Sequence, residues 1–200
     1  MPFARPAFVL TLAAAGLTLL ASAPRALAAE AEAKRHHLTL GAGYARHLDD
    51  SFKEDDLQDC ASGQFAYRYT VSPHVDLAIE GRSVMASQDV VVLLENGEFS
   101  HTASYFGPGV RFQGAAGSVQ PYVQASVYFA RETVRLDVGN TGTDTSEDGV
   151  GFGVAGGADI RLSRLLSLPI EVNYLYAKPE NDVSSLGLQL GLTFNFGRMP

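Results

Sequence analysis

The chain of 200 residues carries 22 Asp and Glu against 15 Lys and Arg, a net charge of −7, and this balance excludes nucleic acid as an expected partner. Cys60 is the only cysteine, which excludes an internal disulfide and reads as an incidental thiol. Lys occurs only as Lys34, Lys53 and Lys178, whereas a soluble β-protein decorates its surface and sheet edges with Lys.

The first segment reads as a cleaved export signal. Arg5 supplies the positive start, Phe8 to Leu20 is almost wholly apolar, and Ala26-Leu27-Ala28 is a small-x-small cleavage site. The expected division is therefore a signal peptide over 1–28 and one domain over 29–200. Two basic residues leave with the signal, so 13 basic face 22 acidic side chains and the mature net charge is −9. No later apolar run is long enough for a spanning helix. A membrane form must then be a closed barrel, because lipid cannot satisfy an open sheet edge.

Eight segments alternate with period two. Leu38, Leu40, Ala42 and Tyr44 oppose Thr39, Gly41, Gly43 and Ala45. Phe65, Tyr67, Tyr69 and Val71 oppose Gln64, Ala66, Arg68 and Thr70. Val75, Leu77 and Ile79 oppose Asp76, Ala78, Glu80 and Arg82. Phe106, Pro108, Val110 and Phe112 oppose Tyr105, Gly107, Gly109 and Arg111; Pro108 cannot donate to a ladder, so a bulge or kink is expected there. Val123, Ala125, Val127 and Phe129 oppose Tyr122, Gln124, Ser126 and Tyr128. Val150, Phe152, Val154, Ala158 and Ile160 oppose Gly151, Gly153, Ala155, Asp159 and Arg161. Leu168, Ile170, Val172, Tyr174 and Tyr176 oppose Glu171, Asn173 and Leu175. The last segment is the clearest: Leu186, Leu188, Leu190, Leu192, Phe194 and Phe196 oppose Gly187, Gln189, Gly191, Thr193 and Asn195. About 9–11 residues suffice for a tilted strand to cross a bilayer.

The connections alternate too. Ser72-Pro73-His74, Ala115 to Gln120 and Ser163 to Ser167 are short. His47 to Ser62, Ala86 to Thr102, Asp137 to Gly149 and Lys178 to Ser185 are longer and polar. Tight periplasmic turns and longer external loops are the asymmetry of an outer-membrane barrel. In the second long connection, Asn96-Gly97 favours a two-residue type I′ turn, so strands three and four are expected to continue as a hairpin above the membrane.

Alternation leaves open which face is inside, and a soluble periplasmic ligand-binding barrel would turn its apolar set inward. The polar set points the other way. It carries Arg68, Arg82, Arg111 and Arg161 with Asp76, Glu80, Asp159 and Glu171, four positives against four negatives and no Lys. An eight-stranded barrel has an interior only wide enough for side chains, and a paired Arg–carboxylate network would fill it. The expected fold is all-β, an eight-stranded antiparallel up-and-down transmembrane β-barrel. A large pore, which needs about 16 strands, is not expected; a narrow ion path stays open.

On these residues the chain resembles the small outer-membrane β-barrel family, including the membrane domain of outer membrane protein A and the outer membrane protein X group. Its C-terminal assembly signal reads polar-x-Gly-x-x-aromatic-x-aromatic, and Gln189, Gly191, Phe194 and Phe196 match it in place. The resemblance implies insertion by the barrel-assembly machinery, with the last strand as docking element.

Little else carries chemistry. His36, His37, His47, His74 and His101 have no spacing that fixes a metal site, and no cofactor is expected. His101 and Ser104 suggest a hydrolytic pair of a lipid A- or phospholipid-modifying enzyme, but their parity separates them. Gly151-x-Gly153 lies within a strand and is no phosphate loop. Asp49, Asp50, Glu54, Asp55, Asp56 and Asp59, and Asp137, Asp144, Glu147 and Asp148, give acidic external loops. These read as a solvated face, with divalent ions bridging to lipopolysaccharide as a secondary role. The expectation is an outer-membrane protein with a structural or surface-interaction role, in contact with membrane lipid and lipopolysaccharide and with an external partner through those loops.

Overall fold

The computed structural model describes residues 36–48, 59–92, 95–115, 117–138, 141–178 and 183–197. The export signal and Asp49, Asp50, Glu54, Asp55 and Asp56 lie outside the described residues. Eight strands follow in order: β1 (His36–His47), β2 (Asp59–Ser72), β3 (Val75–Val92), β4 (Glu95–Gln113), β5 (Val119–Val138), β6 (Thr141–Arg161), β7 (Leu166–Lys178) and β8 (Val183–Phe196). Each pairs antiparallel with the next, and β1 pairs with β8 from His36↔Phe196 to His47↔Ser185, which closes the ring. Closure satisfies both edges of every strand within the belt, as a spanning sheet in lipid requires.

The apolar set faces out. Phe106 is 59% exposed and Val127 58%, whereas Arg68, Arg82 and Arg111 are 2%, 4% and 3% exposed. An apolar belt and buried charges overturn the soluble carrier with an oily interior. The core of this molecule is its lumen.

Three local expectations are corrected. Phe106 pairs with Phe129 and Gly109 with Ser126, so the β4–β5 register is the same on both sides of Pro108 and no residue is inserted. The ladder only skips Gly107 and Pro108. At Gly107 the strands come too close for a side chain: a Cβ would lie 2.0 Å from the Val127 carbonyl oxygen. The bulge lies instead between Thr70 and Ser72 in the β2–β3 ladder. Second, Val92 pairs with Glu95 and Val91 with Asn96, so Asn96 and Gly97 stand within β4 and not at a turn. Third, residues 141–149, expected as loop, belong to β6 and pair with β5 up to Val138↔Thr141.

Candidate functional site

The inward side chains stack in layers. Nearest the short-turn, periplasmic end, Arg68, Asp76, Arg111 and Asp159 meet. Arg68 Nη1 is 3.5 Å from Asp159 Oδ2 and 3.9 Å from Asp76 Oδ2, and Arg111 bonds the same Asp159 carboxylate. Arg111 also lies over the Tyr122 ring, 3.3 Å from its centroid. Thr70 donates to Asp76 at 2.7 Å and Gln113 Nε2 at 3.2 Å. His37 closes this layer at the seam, 2.7 Å from Asn195 Oδ1 and 2.9 Å from Thr70 Oγ1.

Above it, Arg82 is shared by two carboxylates, with Nη1 2.6 Å from Glu171 Oε1 and Nη2 3.0 Å from Glu80 Oε2. Arg82 also donates to Gln189 Oε1 at 3.3 Å. Tyr122 donates to Glu171 at 2.9 Å, and Ser126 and Tyr128 donate to Glu80. A third, apolar layer of Ala45, Val84, Ala103, Tyr105, Ala130 and Leu175 covers the charges. Beyond it stand His47, His101 and Glu132.

Arg161 departs from the expected set. It has the inward parity, but as the last residue of β6 it is exposed at the periplasmic rim. Three Arg therefore face four carboxylates in these two layers. The extra negative charge is met by neutral donors, Tyr122, Tyr128, Ser126 and Asn173, because a buried carboxylate needs its lone pairs occupied. These donors stand at inward-parity positions of β5 and β7, which is the signal that locates them in a sequence. In the apolar layer parity alone marks Ala45, Tyr105 and Leu175 as inward, since by chemistry its Ala, Val and Leu resemble outward residues.

His101 and Ser104 stay apart. His101 points inward with Nε2 2.7 Å from Glu132 Oε1, whereas Ser104 is exposed on the outer face. No group of three or more metal-binding side chains occurs among the described residues. Of the acidic loop residues, Asp148 pairs with Arg131 at 2.7 Å and Asp137 with Arg135 at 2.6 Å, all exposed on the β5–β6 hairpin. These hydrogen-bonded Arg partners hold both carboxyls below the usual Asp range.

The outer membrane protein beta-barrel domain family matches residues 12–196. The chain belongs to this family. It therefore resides in the cell outer membrane, with short turns in the periplasm and long hairpins outside. Neisserial surface protein A matches with a TM-score of 0.59 at 16% identity, over 80% of this chain and 97% of that one. Ail, the attachment invasion locus protein of Yersinia pestis, solved with the heparin analogue sucrose octasulfate, matches with a TM-score of 0.56 at 17% identity, over 82% and 99%. At such identities the likeness is one of fold. No curated protein matches the chain by sequence.

The four residues expected to form a C-terminal assembly signal stand on one strand with two fates. Phe194 and Phe196 face outward at 46% and 45% exposure, Gln189 is buried on Arg82, and Gly191 faces inward where a Cβ would lie 2.6 Å from the Leu40 carbonyl oxygen. Phe196 stacks on His36 of β1, centroids 5.3 Å apart. Phe196→Ala removes an exposed ring and only one stacking contact, so its stability cost should stay near ~1 kcal/mol. Its expected effect is on assembly: a several-fold lower surface level in cells, beside near-normal refolding into detergent. Normal surface levels of the variant would remove the assembly role.

Proposed function

We propose that this barrel is a surface-interaction protein whose working part is a rigid sheet held outside the membrane. The observation that carries the reading is the mismatch in strand length around the ring. β3 pairs with β2 only as far as Ala61↔Met85, yet runs on against β4 to Val92. β6 pairs with β7 only from Val150↔Lys178, so Thr141–Gly149 pairs with β5 alone. Among the described residues, both edges of this four-stranded projection lack a neighbouring strand. A strand edge presents a row of backbone donors and acceptors that an extended segment of another protein can pair with.

Charge narrows the partner. Asp144, Glu147 and Asp148 stand on the β6 edge strand, and the connection between β1 and β2 adds five further carboxylates against Lys53. A cationic polypeptide segment fits this surface; a sulfated polyanion such as the analogue bound by Ail does not. A filled lumen leaves the barrel as a holder and not a pore. In this reading membrane lipid covers the belt, divalent ions link the acidic rim to lipopolysaccharide phosphates, and the barrel-assembly machinery meets β8.

Two measurements test the proposal. Planar-bilayer recordings of the folded protein should show no conductance steps. Cells displaying the wild-type chain should be retained on protein-coated or mammalian-cell surfaces, and replacement of residues 131–148 by a two-residue turn should cut that retention by about tenfold, the scale of a lost interface hot spot. Conductance steps, or retention unchanged by the shortening, would refute it.

A further inference from the structure

The outer end of the lumen holds three ionisable side chains that neither the barrel core nor the external sheet uses. His47 on β1 and His101 on β4 are each 1% exposed, with ring centroids 5.0 Å apart and planes near perpendicular. His101 Nε2 is 2.7 Å from Glu132 Oε1 on β5. His47 bonds the Ser184 backbone on β8. From β2 the Cys60 thiol packs beside them and takes a bond from the His47 backbone, and β3 contributes Ala86. Among the described residues, one carboxylate thus faces two imidazoles and a thiol.

This count sets the chemistry. A proton on His101 makes an imidazolium paired with Glu132. A second proton on His47 puts two like charges about one ring apart in a buried site, and one carboxylate compensates only one of them. His47 lies beyond Tyr44, the last apolar side chain that β1 turns outward, and so stands above the membrane belt. There, burial and next the His101 ring push its pKa down to about 4. The sign follows. The neutral form is the folded form, so the closure His47 provides is complete above its ordinary pKa of about 6.5 and is lost as pH falls toward 4.

We propose that His47, His101 and Glu132 form an acid-released latch at the extracellular mouth, which joins β1 to the roots of the projecting strands β4 and β5 and opens when both imidazoles are charged. The latch would loosen the base of the external sheet in acid surroundings and leave the ionic layers below in place. It does not depend on how the sheet is used.

Cys60 supplies the reporter, since it is 2% exposed and sits under the latch. The protein is folded in phosphatidylcholine vesicles and its thiol titrated with dithiodipyridine, which reacts in acid. Rates are divided by those of the unfolded chain at the same pH. The ratio should rise at least about tenfold between about pH 7.5 and pH 4, the range in which buried His titrates. His47→Leu should abolish the rise, and Glu132→Gln, which removes the compensating carboxylate, should move its midpoint up by about one pH unit. Should His47→Leu fail to reach the compact folded gel mobility, His101→Leu removes the same charge pair. A flat wild-type ratio, or a rise unchanged in the folded leucine variants, would overturn the latch.

Discussion

Arg82→Met should destabilise the barrel by about 3–5 kcal/mol, the usual cost of removing one partner from a buried ion pair. Arg82 is the only cation of its layer among the described residues, bonded to Glu171 at 2.6 Å and to Glu80 at 3.0 Å. Without it two carboxylates stand in a closed lumen, held by the neutral donors Tyr122, Ser126, Tyr128 and Asn173. Neutralising them should restore much of the loss: the triple variant Arg82→Met, Glu80→Gln, Glu171→Gln should recover at least about half, because amides keep hydrogen bonds without a buried charge. Urea unfolding in vesicles, followed by the loss of compact gel mobility, reads both. A single variant within about 1 kcal/mol of wild type, the level of an exposed pair, would mean the layer is wet and not paired.

The second large effect is expected at the seam. Gly43 on β1 faces the lumen beside β8, and a Cβ built there lies 2.0 Å from the Leu188 carbonyl oxygen and 2.8 Å from Gln189 Cα. Backbone cannot step aside without parting the strands that close the ring. Gly43→Ala should therefore cost at or above the ~1–3 kcal/mol of an overpacked core, and lower the yield of compact protein on refolding. Gly63→Ala is the control: its Cβ would meet only the Gly41 carbonyl, 4.0 Å away, and it should be neutral or slightly stabilising. Equal yields for the two variants would show that close approach at the seam is not limiting.

These effects mark what a linear reading could reach. The eight strands were legible because lipid and lumen impose opposite chemistry on alternate residues, as Leu188 and Gln189 or Ile79 and Glu80 show. That contrast ends where both faces meet water. Thr141, Thr143 and Thr145 alternate with Gly142, Asp144 and Ser146, polar on either side, so the upper half of β6 carries no face signal and resembles a loop. Asn96-Gly97 misplaces a turn for a related reason. Pairing in the belt, such as Glu80↔Gly107 and Ile79↔Pro108, sets the β3–β4 register, and that register carries past the local turn preference to Val92↔Glu95.

Period and composition alone determined the export signal's expectation, the all-β class, the strand number, and the inward face of Arg68, Asp76, Glu80, Arg82, Arg111, Asp159 and Glu171. Tertiary structure decided which of them pair. Arg68 meets Asp159 and Arg82 meets Glu171 across the lumen, between strands four apart in the ring, and Arg161 falls outside at the rim. The reason is geometric. A residue's parity sets its face, but its height in the lumen depends on the tilt and stagger at which the whole sheet closes, and no single strand encodes that.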